Sequence, residues 1–247
     1  IIMAWALTRA SWNLGYGIVS GIQIALTLVL LLTLRLWKED RAGASEGEAA
    51  GAGKRSLPEL LRLPGVPQVM ACFFCYCALE VTIGMWAASY CTLVRGIPAT
   101  EASAWGSIFY LGVTAGRLIS GFITFRVNDR NMIRLGQMIC AAGILLIALP
   151  VGNAALLPGL LLLGLGCAPI YPAIIHETPL NFGAENSQGV IGIQMASAYV
   201  GTTLMSPLFG LLGETISFAI LPAYLAVVLL VMFVMAEWLH RRTQPVR

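Results

Sequence analysis

A chain of 247 residues that is 58% hydrophobic and only 11% charged, with a mean hydropathy of +0.81, is too apolar for a water-soluble domain, whose charged share is usually about 25%. The formal net charge of +3 does not point to nucleic acid, because the Lys and Arg residues fall in loops between apolar runs, where membrane topology accounts for them. Residues 1–7 read as the tail of an apolar segment already under way, without the basic flank of a signal peptide, so the chain is expected to be a piece of a longer protein.

A helix needs about 20 apolar residues to cross the hydrocarbon core. Runs of that length, ended by charge, Pro or Gly clusters, predict seven spans, at 15–37, 66–94, 103–125, 132–150, 154–175, 189–212 and 216–239, with 1–7 as the stub of an earlier one. Helices are the reading because lipid cannot satisfy backbone groups and no run shows the period-2 alternation of a barrel strand. Residues 38–65, rich in Ala, Gly, Glu and Arg, form the long polar stretch, a flexible linker by composition. The expected organisation is therefore 1–37, a linker at 38–65, and a six-helix transmembrane domain at 66–247.

Alternating the loops places 38–65, 126–131, 176–188 and the tail 240–247 on one side, and the short loops at Arg9, Arg95, Gly152 and Glu214 opposite. Of the 15 Lys and Arg residues, 12 then lie on or at the edge of the first side, two (Arg9, Arg95) on the second, and Arg117 is within a span. The positive-inside rule makes the first side, with the C-terminus, cytoplasmic in a plasma or inner membrane.

Of the six cysteines, Cys72, Cys75 and Cys77 have a superficially metal-like spacing. On a helix Cys77 is rotated well away from the other two and no His is near, so no metal site is expected and these are read as small packing residues. An offset of 89 residues brings residues 110–121 onto 199–210 with four identities: Tyr110/Tyr199, Gly112/Gly201, Thr114/Thr203 and Gly121/Gly210. These helices are the second members of two successive triplets running in opposite senses, the mark of a three-plus-three inverted repeat.

Glu80 lies about 14 residues into its span, roughly 20 Å along the helix and near the bilayer middle. An ionised carboxylate is costly there, which suits a proton-coupling or solute-binding group; the alternative is a hydrogen-bonded Glu that ties helices together. Tyr76, four residues earlier on the same face, is its natural companion. The next span carries Ser103, Ser107, Tyr110, Thr114, Arg117 and Gly121 at spacings of three and four, a polar stripe that must face protein or water. Arg117 has three open roles: snorkelling, pairing with Glu80, or binding an anionic solute. Gln194 would hydrogen-bond either a solute or another helix. Pro169 and Pro172 are expected to interrupt and kink their span, and the neighbours His176-Glu177 and Asp129-Arg130 are read as loop residues.

The stretches Ala-Leu-Glu-Val-Thr-Ile-Gly-Met-Trp-Ala-Ala-Ser-Tyr (78–90), Ala-Gly-Arg-Leu-Ile-Ser-Gly (115–121) and Gly-Cys-Ala-Pro-Ile-Tyr-Pro (166–172) together resemble bacterial major facilitator transporters, especially those grouped with the fucose permease. The resemblance covers nearly the whole chain. It implies an all-α, 12-helix carrier of which helices 6 to 12 are present, with the tail of helix 5 and with 38–65 as the central cytoplasmic loop. It also implies a loop signature of outline Gly-x-x-x-Asp-Arg-x-Gly-Arg-Arg on 121–130, where Gly121, Arg126 and Arg130 match, Asp129 precedes the last Arg, Phe125 replaces the acid and Asn128 the second Gly. These are the gating candidates.

The function so implied is alternating-access movement of a small polar solute, proton-coupled and sugar-like, by a half that works with an absent N-terminal half in the lipid bilayer. Drug or metabolite efflux uses the same scaffold. No Gly-rich nucleotide signature is present, so no cofactor is expected and a gradient would drive transport. An intramembrane enzyme would need a Ser-His pair or paired acids at membrane depth, and His176 and His240 both lie at helix ends.

Overall fold

The computed structural model describes residues 12–33, 55–150 and 152–243. The expected stub at 1–7, the loop at Arg9, residues 38–54 of the linker and the tail beyond residue 243 lie outside these. The chain divides into two compact units, Ile1–Gly53 and Lys54–Arg247. In the first, α1 (Trp12–Thr33) is a single apolar helix. The second holds a short helix, α2 (Leu57–Leu61), and six long ones: α3 (Val66–Leu93), α4 (Ala99–Ile123), α5 (Asp129–Ala148), α6 (Leu156–Phe182), α7 (Ala184–Thr215) and α8 (Leu221–Arg242). Among the described residues there is no strand. All seven long helices are long and apolar enough to cross a membrane.

Local chemistry sets the helix ends. Ser56 opens α2, its backbone N–H donating to the Glu59 carboxylate at 2.9 Å. The last part of the expected linker is thus ordered, and Leu60 packs over Gly189 of α7. Gly65 precedes α3 at φ +97, where a Cβ would press on Leu239, Thr243 and Phe182, so both conformation and space call for glycine. Asn128 caps α5 by accepting from the Asn131 N–H at 3.2 Å. At the other end of α5, the Arg95 guanidinium donates to the Leu149 carbonyl at 3.2 Å, a cation set against a helix C-terminus.

Two loop expectations are corrected here, the first being Asp129-Arg130, which open α5. The predicted loop at 176–188 is helical except at Gly183 (φ +83), so His176 and Glu177 belong to α6. Charge ends an apolar run without ending the i→i−4 hydrogen-bond ladder, which continues until glycine turns the chain. The helix is also unbroken at Pro169 and Pro172. What each proline removes is one N–H, leaving the carbonyls of Leu165 and Ala168 without their usual helical donors.

The packing follows the repeat. α4 lies on α6 and α7 on α3; α5 lies on α6 and α8 on α3; α3 meets α4 as α6 meets α7. Exchanging α3 with α6, α4 with α7 and α5 with α8 carries each contact onto its mate. Glycines sit at the crossings. A Cβ at Gly112 of α4 would strike the Leu161 carbonyl of α6, and one at Gly201 of α7 would stand 2.6 Å from the Phe74 carbonyl of α3. Small residues at such crossings are how membrane helices gain close van der Waals contact without a hydrophobic driving force between them.

Candidate functional site

Glu80 lies halfway along α3, partly buried. The i, i+4 geometry of the helix sets the Tyr76 phenol beside it, with Tyr76 itself only 1% exposed. From α4, Tyr110 reaches across to α3 and its hydroxyl occupies the space a side chain at Gly84 would need, one helical turn beyond Glu80. From α6, Tyr171 stacks near Phe73 (centroids 5.0 Å apart) and Tyr76 (6.1 Å). Tyr76, Tyr110, Tyr171 and the thiols of Cys77 and Cys167 all lie within electrostatic reach of Glu80. The polar side chains gathered along this stretch of α3 are phenols and thiols, which can donate a hydrogen bond while carrying no charge.

The stripe on α4 stays open: Ser103, Ser107, Tyr110, Thr114, Arg117 and Gly121 are all exposed in the chain as it stands. The neighbouring face, with Phe109, Gly112, Val113 and Gly116, is the one sealed against α6. Ser107 and Thr114 turn their hydroxyls to the carbonyls four residues back, at 3.0 and 2.9 Å. The stripe ends in a cavity of about 750 Å³ between α4, the α4–α5 turn and α6, lined by Arg117, Gly121, Asp129, Pro169, Pro172 and Tyr171 among others. Tyr171 lines this cavity together with Arg117 and also packs beside Tyr76, the neighbour of Glu80. No Glu80–Arg117 ion pair forms within 4 Å; the ion pairs among the described residues are Arg134–Glu237, Asp129–His176 and Glu177–His240.

The remaining candidates are dispersed. Gln194 is wholly buried and donates to the Thr178 hydroxyl at 3.0 Å, tying α7 to α6. Arg126 is exposed at the α4–α5 turn. Arg130 turns toward α8 and donates to the His240 carbonyl at 3.3 Å, while the His240 ring meets Glu177 at 3.4 Å. Cys72, Cys75 and Cys77 are all buried within the bundle. Tyr171 and Tyr199 were not singled out by the sequence. Tyr199, the repeat mate of Tyr110, is 72% exposed and within electrostatic reach of Tyr171; its signal was the repeat itself.

An all-helical bundle of two interlocked triplets, with polar groups gathered on one open face, is the architecture of a secondary membrane carrier. The Major Facilitator Superfamily model matches residues 1–187 and 95–247. The chain belongs to that superfamily of multi-pass membrane transporters. It is 24% identical over 205 residues to an uncharacterised MFS-type transporter of Yersinia pestis, covering 82% of this chain and 49% of the relative. Its fold is similar to that of FucP, an MFS transporter in the outward conformation, with a TM-score of 0.74 at 18% identity over 97% of this chain and 60% of that one. It is also similar to a POT peptide transporter in complex with alafosfalin, with a TM-score of 0.64 at 19% identity over 79% of this chain and 41% of that one. The chain thus spans about half the length of the curated relative it matches.

Proposed function

We propose that this chain forms one wall of an alternating-access carrier for a small polar solute, with Glu80 as the proton-coupling group and Tyr76, Tyr110, Tyr171 and Arg117 as its companions along the solute path. The observation that carries the reading is the gathering of three tyrosines along the stretch of α3 that holds Glu80, Tyr76 on α3 itself, Tyr171 of α6 with its ring 6.1 Å from Tyr76, and Tyr110 of α4 at Gly84, beside an open polar stripe that ends in the Arg117 cavity. A carboxyl at that depth with no basic side chain within 4 Å among the described residues is an expensive group to keep inside a membrane, and such groups mark ion and solute paths. The opposite wall would come from an N-terminal half of the same transporter. The bundle is oriented with the α4–α5 turn, the α6–α7 junction and the C-terminus on the cytoplasmic side, so the Arg117 cavity opens inward. The resemblance of the sequence stretches 78–90, 115–121 and 166–172 to the fucose permease group favours a sugar-like solute taken up with protons over efflux.

The test is the full-length carrier in proteoliposomes under an imposed pH gradient. Glu80→Gln should abolish pH-driven accumulation of the solute while leaving solute exchange across the membrane intact. Unchanged pH-driven accumulation in Glu80→Gln would overturn the coupling role.

A further inference from the structure

We infer that the solute carries an oxyanion, a carboxylate or phosphate, which Arg117 grips in the cavity between α4 and α6. This rests on the transporter reading above and names the solute class for the same path. The cavity, at about 750 Å³, is of small-molecule size. Besides the phenol of Tyr171, its lining holds three side chains of the charged types: Arg117, Asp129 and His176. Two of them are already engaged with each other, His176 Nδ1 standing 2.6 Å from Asp129 Oδ2. The guanidinium of Arg117 is left with no carboxylate within 4 Å among the described residues. It lines the same cavity as Tyr171 of α6.

The other polar groups sharpen the class. Asn128 spends its side-chain oxygen on the Asn131 N–H, which leaves the amide –NH₂ as a donor. Ser120 and Thr124 give their protons to the carbonyls of Arg117 and Gly121, at 3.1 and 3.0 Å. A neutral polyol both donates and accepts hydrogen bonds, and the one carboxylate among the lining residues already has its Oδ2 against His176. What the cavity offers is a planar fork of N–H donors and an amide donor, the complement of an oxyanion. Glu80 is not among the residues that line this cavity, so proton and anion have separate partners.

The experiment follows thermal unfolding of the purified full-length carrier in detergent with sodium D-gluconate, sodium lactate, inorganic phosphate, D-glucose and L-fucose, at ionic strength matched with chloride. Gluconate, lactate or phosphate should raise the midpoint, and which of them does so separates carboxylate from phosphate. Arg117→Gln should weaken that response about tenfold or more, and Arg117→Lys should keep part of it, because the charge remains while the fork is lost. No rise with any of the three anions, an equal rise in Arg117→Gln, or a rise with the neutral sugars alone would overturn the inference. Should Arg117→Gln not fold, the Arg117→Lys comparison carries the test. A stabilising anion that shows no pH-driven flux counts against the coupling reading and leaves this one standing; pH-driven flux of glucose that ignores Arg117 does the reverse.

Discussion

Gly112 and Gly201 each face a backbone carbonyl across a helix crossing, whereas a Cβ at Gly121 would meet nothing within 4 Å. Gly112→Ala and Gly201→Ala should therefore each lower stability by about 1–3 kcal/mol, the usual range for overpacking, and Gly121→Ala should not. Thermal melts of the full-length protein in detergent check this, and equal loss at all three sites would show that the crossings are not special. Residue chemistry was only partly legible in the sequence. That Tyr76 stands beside Glu80 was legible because i, i+4 spacing is a one-dimensional property. Gln194 was not resolved, because a buried amide bonded to Thr178 and one facing a solute look alike until the neighbouring helix is placed. Tyr171 was passed over between two prolines, since no spacing rule says that α6 brings it against Phe73 and Tyr76.

Among the helices, α5 and α8 are clipped together by a two-pronged pair, Arg134 Nε to Glu237 Oε1 at 2.5 Å and Nη2 to Oε2 at 2.7 Å. Both side chains are partly exposed, so solvent screens the pair and its worth is about 0–1 kcal/mol despite the good geometry. Glu237→Gln should cost no more than that, and exchanging the two residues should restore it; a double-mutant cycle on melting midpoints reads the coupling. Span positions were legible because lipid imposes a length, and the predicted and observed segments overlap throughout the described residues. Their ends were not, because the sequence marks where lipid ends and the backbone goes on: α6 continues through His176 and Glu177 to Phe182, and α7 begins at Ala184. The consequence is functional, since residues read as solvated loop are helical, and Asp129–His176 and Glu177–His240 join α6 to α5 and α8.

For the molecule as a whole, the proposed orientation predicts that a reporter fused after Arg247 is active only as a cytoplasmic marker, while one inserted at the Gly96 turn is active only as an external marker. The reverse pattern would invert the path described above. The repeat was legible from four identities, and its packing consequence was not: sequence alone does not say that the second helix of each triplet lies on the first helix of the other. That interlocking has a mechanical implication. Where Gly112 meets Leu161 and Gly201 meets Phe74, the backbones touch without a cushion of side chains, so the bundle has little internal give at two symmetry-related fulcra. A displacement applied at one triplet is therefore expected to be passed to the other through these two contacts rather than absorbed between them.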